Sequence, residues 1–574
     1  MRSLLWLALS LHIALATAYA WTTPAFEAPD ENSHYEYAWH VANARHLPIT
    51  QALAQERGLP QNEGALLAHH PPLYYGLLAA VMVAAGQDDV VFGPRLNEAF
   101  GAPAEPGAGL KFVHEAREHR LLRALRLVSV LLGAVTIWLV HRLGRRCCPD
   151  APRVADLAAL LVACLPMWSS LHGALNSDVL AATLSAATVY ALVTALQAPR
   201  PTTAGGVALG ALLGLALLTK LTAMFLVALA AAAAAALWRR GASTGERAAR
   251  PLLAAALTAL AVCGWLFIRN WLLYEDPLAM RAHDAAFTPL PDELRWAYFF
   301  GAAPWPDGVP SFLPTVFTSL FGRFGWFAVP PHAVWPWVGA GVSALAVLGL
   351  ARARLDRAPR LWPRAAWLLW TAGALVFAGT AWFNLTAPQP QGRLLAPAAA
   401  PVSVLIAAGL LRATASVPGR RWLALLLPGA AVATFAWTFL PAMDPDHAPA
   451  PPDHRSLVGG IVHAPNESIA WRDPAPTAPA ATTLRLAWQD ESAPPGTRYS
   501  LYVFDAGGRV WLATHEWSKG AIVIEGDEAQ VDDRAWAFVP SGRALYCRLR
   551  RVPADADADA EDLPATPALA FRKP

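Results

Sequence analysis

The chain has 574 residues, 55% of them hydrophobic and only 15% charged, with a mean hydropathy of +0.33. Soluble domains seldom have that balance and polytopic membrane proteins usually do, so the composition excludes an ordinary water-soluble enzyme. A net charge of +3 is too small for a polyanion-binding surface and excludes nucleic acid as a partner.

A helix needs roughly 20 mainly apolar residues to cross a bilayer. Such stretches stand at 4–22, 121–141, 153–171, 177–197, 205–219, 221–238, 250–268, 333–352, 365–383, 395–411 and 422–441. They predict a mainly α chain, a polytopic transmembrane helical bundle of about eleven spans. Short cytoplasmic loops carry the Lys and Arg excess. Arg2, the His141 to Arg146 cluster, Arg200 and the segments 239–250, 352–364 and 412–421 then share that side. The N-terminus is inside and the C-terminal part outside. Many of the 24 Trp, including Trp21, Trp238, Trp271 and Trp337, stand at span ends as an aromatic belt. The five Cys have neither metal-ligand spacing nor a pairing pattern.

Three segments need separate treatment. Met1 to Ala20 ends in Ala18-Tyr19-Ala20, a signal-peptidase pattern, yet the apolar run from Leu4 to Trp21 is long for a signal peptide. Pro71 to Gly86 is apolar but short and opens on two prolines, which predicts an interfacial or re-entrant helix. Thr219-Lys220 interrupts a long apolar run, so Lys220 is placed at the outer tip of a hairpin between two short spans.

Two outer loops are long, 23 to about 119 and 269 to about 332, and loops of such length usually hold function. After residue 441 the composition turns to Pro, Asp and Ala. Alternating runs such as Thr483 to Trp488 and Tyr499 to Phe504 then predict a small β domain. The domains are therefore 1–441, transmembrane, and 442–574, extracytoplasmic and β-rich, with an acidic low-complexity stretch at 554–562 that reads as disordered. Asn466-Glu467-Ser468 fits a glycosylation sequon, a weak motif.

The chemistry-bearing residues collect on the outer side. Pro29-Asp30-Glu31 follows the first span, with His34 four residues after Asp30. One reading is an ordinary helix start, with Pro at the first position and acids in the first turn. The other is a carboxylate that accepts a hydroxyl proton or holds a divalent cation, Mg or Mn, against a phosphate. His69-His70 before Pro71-Pro72-Leu73-Tyr74-Tyr75 reads either as an interfacial helix start or as a substrate-lining segment; zinc at His34, His69 and His70 has no supporting spacing. Asn176-Ser177-Asp178 has the form of a helix cap. Arg269-Asn270 and Gln391-Gly392-Arg393 put outward cations at span ends, as phosphate clamps or as snorkelling side chains. The aromatic, Gly-rich segment 317–326 reads as an interfacial belt or a lipid-chain contact.

With these motifs in order, the chain resembles the GT-C superfamily of polytopic glycosyltransferases, which includes the protein mannosyltransferases and the aminoarabinose transferases of lipid A. It resembles more closely the bacterial membrane-protein family called domain of unknown function 2142. The elements that carry the likeness are Pro29-Asp30-Glu31 with His34, His70-Pro71-Pro72-Leu73-Tyr74-Tyr75, Asn176-Ser177-Asp178, Leu218-Thr219-Lys220, Arg269-Asn270 with Asp276-Pro277, Phe324-Gly325-Trp326 and Gln391-Gly392-Arg393. The resemblance implies transfer, with inversion, from a polyprenyl-phosphate-linked sugar to a glycan, lipid or protein acceptor outside a bacterial inner membrane. The superfamily's first-loop carboxylate pair falls on Asp30 and Glu31. Asp30 is the expected base, Glu31 its orienter or a metal ligand, and Arg393, Arg269 and Lys220 the neutralisers of phosphate. His34, His70, Tyr74, Asn176 and Asp178 complete the expected substrate-binding set. His70 stands where some members have a basic phosphate contact, and the C-terminal domain lies outside the resemblance. The rival readings are a flippase for lipid-linked sugars, which mid-span polar groups and repeated halves would mark, and a silent anchor for the β domain.

Overall fold

The computed structural model describes residues 2–57, 65–86, 110–112, 119–244, 249–284, 299, 312–326, 329, 331–332, 334–355, 365–386, 389–415, 423–440 and 443, and short strands between 469 and 572. The sequon at 466–468 and the acidic stretch at 554–562 lie outside the described residues.

The helices are α1 (Arg2–Thr22), α2 (Glu31–Ala44), α3 (Gln51–Glu56), α4 (Leu73–Ala85), α5 (Arg120–Cys147), α6 (Arg153–Ala163), α7 (Pro166–His172), α8 (Ser177–Gln197), α9 (Thr203–Leu217), α10 (Phe225–Thr244), α11 (Ala249–Tyr274), α12 (Met280–Asp284), α13 (Phe312–Ser319), α14 (Val334–Leu355), α15 (Ala366–Thr386), α16 (Ala399–Ala413) and α17 (Leu423–Thr434). Among the described residues eight helical segments are long and apolar enough to cross a membrane, or nine if the bent pair α6–α7 is one span. The chain is a mainly helical, multi-pass integral membrane protein.

The expectation of eleven spans divides accordingly. The stretch 153–171 is not straight: it bends by 65° between α6 and α7, where Pro166 cannot continue the hydrogen-bond ladder and Leu165 is extended. The stretch 205–219 yields only the 15-residue α9, and 422–441 yields α17 followed by a π turn at Phe435–Phe439. α4 has 13 residues, about 20 Å, short of the hydrocarbon thickness.

Small residues set the closest helix contacts. Gly206 and Gly210 of α9 lie against the Pro251 and Ala255 carbonyls of α11, and Gly349 of α14 against the Gly409 carbonyl of α16, so close that a Cβ would overlap the oxygen. Such contacts drive helix association in lipid, where apolar burial between helices gains little. Gly349→Val is expected to lower stability by about 1–3 kcal/mol, read as earlier thermal unfolding in detergent, while Gly341→Val, which meets nothing within 4 Å, leaves it unchanged.

The chain divides into two compact units: Met1–Leu47 with His69–Asp89 and Glu118–Asp444, and Pro48–Ala68 with Val90–Arg117 and Pro445–Pro574. The second holds two antiparallel four-stranded sheets. Their strands are β1 (Ile469–Trp471), β2 (Arg485–Asp490), β3 (Arg498–Asp505), β4 (Val510–Ala513), β5 (Ile522–Glu525), β6 (Glu528–Val531), β7 (Ala544–Val552) and β8 (Leu569–Arg572), ordered β1-β2-β6-β5 and β4-β3-β7-β8. The period-two pattern does what it predicts. Leu486 and Trp488 on β2, Leu501 and Val503 on β3, and Cys547 and Leu549 on β7 are buried, with Leu501 paired to Leu549 and Val503 to Cys547.

Candidate active site

α1 ends at Thr22, and the chain turns through residues 23–30 before α2 begins at Glu31. That turn is held by Arg126, a cation inside the apolar helix α5. Its side chain is buried. It donates to the carbonyls of Ala20 (2.9 Å), Thr23 (2.6 Å) and Pro24 (3.0 Å), and to both Glu31 carboxylate oxygens at 2.8 and 2.5 Å. The Phe26 and Leu175 amides donate to the same carboxylate, each at 3.0 Å. Every oxygen of Glu31 is thus satisfied, and its role here is to fix the turn and α7–α8 to α5.

Asp30 is the residue that this anchoring presents. It caps α2 in the left-handed region, φ 67° and ψ 2°, and its carboxylate makes no cap hydrogen bond. The expectation that Pro29 opens the helix is corrected: α2 starts at Glu31, and Pro29 lies in the turn. Asp30 pairs with the Arg393 guanidinium, which also donates to the Pro29 carbonyl at 3.2 Å. Burial works to raise its pKa. The charge of Arg393 first, and that of Lys220 after it, outweigh that and hold the carboxyl below its ordinary value.

Arg393 reaches its position through Gly392, whose amide donates to Ser319 Oγ at 2.8 Å and whose missing side chain admits α13. It lines an open cleft with Glu27, Pro29, Asn176, Arg323 and Gln391. Two polar atoms in that lining are buried without a hydrogen-bond partner among the described residues, Arg393 Nε and Gln391 Oε1. Within segment 317–326, Ser319, Arg323, Phe324 and Gly325 line the cleft, and Trp326 Nε1 donates to the Phe26 carbonyl at 3.2 Å.

A second group gathers on α2, α4 and α8. The Tyr75 hydroxyl lies 2.9 Å from His34 Nδ1 and 2.9 Å from His70 Nδ1. One hydroxyl has one proton, so at most one imidazole accepts from Tyr75 and at least one donates to it. Burial first, with the cations Lys220 and Arg393 adding to it, lowers His34 to about 3, so it is neutral at pH 7; burial and His69 likewise hold His70 well below its usual value. Tyr74 shares a hydrogen bond with Ser129 (3.2 Å) and accepts from the Asn176 amide (3.0 Å). Asn176 caps α8 by accepting from the Asp178 amide at 2.9 Å. Lys220, in extended backbone where α9 ends, donates to Asp178 Oδ1 at 2.7 Å.

The Arg269 charge acts on Tyr37, which stacks on Tyr75 and donates to the His70 carbonyl at 3.2 Å. Arg269 donates to Asn270 at 3.3 Å, and Asn270 donates to the Pro277 carbonyl at 3.2 Å; the cleft lining does not include Arg269. No three His, Cys, Asp or Glu side chains among the described residues form a metal-binding group. Asp30 faces Arg393, and Glu31 is filled by Arg126 and two amides, so this pair is a poor donor set for Mg or Mn. Nothing in the sequence motifs points to Arg126, while Tyr75 stands there only as the end of the His70 to Tyr75 motif and Arg323 lies within the segment 317–326.

Residues 111–267 match the family described as dolichyl-phosphate-mannose-protein mannosyltransferase. No curated protein matches the chain in sequence. Among solved structures, ArnT from Cupriavidus metallidurans bound to undecaprenyl phosphate aligns over 80% of this chain and 66% of its own, with 15% identity and a TM-score of 0.43. AglB from Archaeoglobus fulgidus, in complex with an inhibitory peptide and a dolichol-phosphate, aligns over 81% and 58%, with 16% identity and a TM-score of 0.42. The Saccharomyces cerevisiae Pmt1-Pmt2 protein O-mannosyltransferase complex bound to the sugar donor aligns over 56% and 37%, with 17% identity and a TM-score of 0.32. This chain spans 66% or less of the length of each of these structures.

Proposed function

We propose that this chain is a GT-C membrane glycosyltransferase of the kind catalogued as domain of unknown function 2142. It transfers a sugar from a polyprenyl-phosphate donor to a glycan, lipid or protein acceptor, with inversion, on the outer side of a bacterial inner membrane. Residues 1–441 carry the reaction, and 442–574 form an extracytoplasmic domain. The match of residues 111–267 to the mannosyltransferase family supports the GT-C part of that reading. The observation that carries the chemistry is Arg393, paired to Asp30 in the lining of an open cleft that Arg323 also lines, with its buried Nε meeting no partner among the described residues.

Displacement at the anomeric carbon needs a base for the incoming hydroxyl and cations for the leaving phosphate. Asp30 takes the acceptor proton as the acceptor oxygen bonds to the anomeric carbon. The bond from that carbon to the phosphate oxygen breaks, and its electron pair leaves with the lipid phosphate. Arg393 and Arg323 take up that charge. A carboxylate held by a guanidinium is a weak base; when the donor phosphate draws Arg393 toward itself, Asp30 becomes more basic where the hydroxyl arrives. Lys220 orients Asp178, His34 and His70 stay neutral beside the sugar, and Glu31 positions Asp30. No step uses a divalent cation, because the donor set does not suit one.

The test is transfer of radiolabelled sugar from polyprenyl phosphate by the purified protein. Transfer that survives EDTA is the expected result, while lipid scrambling in vesicles without transfer would favour the flippase. The ion pair also has a pH signature. Arg393 lowers the Asp30 pKa against burial, so the acid limb of kcat/KM falls as pH drops through a value below the ordinary carboxylate range. In Arg393→Gln burial acts unopposed by that charge, and the limb moves to higher pH. A limb that stays in place would separate Asp30 from the titration.

A further inference from the structure

The end of the helical unit remote from Asp30 carries a second pocket. α8 begins beside the candidate site and ends at Gln197, 21 residues in all, about 30 Å at 1.5 Å per residue. That is the thickness of the hydrocarbon core, so the end of α8 is at headgroup depth in the opposite leaflet. There the last turn of α8, the C-terminal part of α10 and the start of α15 line an open pocket with Leu196, Gln197, Ala236, Leu237, Arg240 and Trp367 and, among the described residues, no carboxylate.

Two side chains bring donors to it. Arg240 Nη1 donates to the Leu196 carbonyl at 2.9 Å, which fixes the guanidinium on the pocket wall. The amide nitrogen of Gln197 is buried and meets no acceptor among the described residues. A buried donor without an acceptor costs free energy that a bound anion recovers, and the neighbouring cation selects for one. The remaining wall is apolar, and the rings of Trp238 and Trp367 are about half exposed beside it, as at a membrane interface. We propose that this pocket binds the phosphate of an anionic phospholipid from the leaflet opposite Asp30. Arg240 and Gln197 donate to the phosphate oxygens, and Leu196, Ala236 and Leu237 meet the first methylenes of the acyl chains. Inorganic phosphate would find the same donors but would gain nothing from the apolar wall, whereas lipid satisfies both.

The test is native mass spectrometry of the full chain in detergent with added phosphatidylglycerol, phosphatidylcholine or inorganic phosphate. Wild type is expected to retain phosphatidylglycerol over phosphatidylcholine and to release none to millimolar inorganic phosphate. Arg240→Ala and Gln197→Leu are each expected to weaken retention about tenfold, and Arg239→Ala, an exposed neighbour, to leave it unchanged. Gln197→Leu keeps size and helix propensity, so its effect is independent of folding through the Arg240 contact to α8. Equal retention in all variants, or equal loss in Arg239→Ala and Arg240→Ala, would overturn the proposal, as would displacement by inorganic phosphate. No transfer reaction enters this readout, so it stands or falls apart from the glycosyltransferase reading.

Discussion

Asp30→Asn lowers the transfer rate by about 10²–10⁴-fold while the protein still binds polyprenyl phosphate. Asn preserves the shape of Asp30 and one oxygen for Arg393, and removes the negative charge and with it the capacity to take a proton. The loss therefore falls on kcat, whereas Arg393→Gln and Arg323→Gln, which remove positive charge from the cleft, lower donor binding as well. Full activity in Asp30→Asn would remove Asp30 as the base. Glu31→Gln is the informative comparison. Gln keeps an acceptor oxygen toward the Leu175 or Phe26 amide and loses the charge toward Arg126. Its first effect is on stability, with activity following only as far as the turn before α2 shifts.

The membrane character was legible in the sequence because length and hydropathy state it directly, and eight of the predicted spans are long apolar helices among the described residues. The bend between α6 and α7 was written in the sequence as Leu165-Pro166, but a window that averages hydropathy does not register a proline. Alternation in 485–490 and 498–505 showed the strands, while the order β1-β2-β6-β5 was not legible, because pairing between distant strands leaves no local pattern. Asn176 was readable as a cap because capping is local. The pairing of Asp30 with Arg393, 363 residues away in the chain, was accessible only as a shared side of the membrane. Arg126 had a signal: a cation within an apolar span is costly and has a partner. An averaged hydropathy hides it among apolar neighbours, although it stands six residues after the start of α5.

Arg126→Met is expected to destabilise the protein by about 3–5 kcal/mol, seen as a large fall in thermal unfolding temperature and in yield from the membrane. Arg126 and Glu31 are 2% and 0% exposed, so removal of the cation leaves a carboxylate in a dry site with only the Phe26 and Leu175 amides. Three backbone carbonyls at the end of α1 lose their donors in the same step. A surface ion pair of the same geometry would be worth well under half of this. The double variant Glu31→Gln with Arg126→Met is expected to recover part of the loss, since the uncompensated charge is gone and Gln still accepts from an amide. It does not recover all, because the carbonyls of Ala20, Thr23 and Pro24 stay unpaired. A double variant no more stable than Arg126→Met would show that the cation acts through those carbonyls alone. Recovery of stability without recovery of transfer would show that the same guanidinium that holds the turn together also sets where Asp30 points.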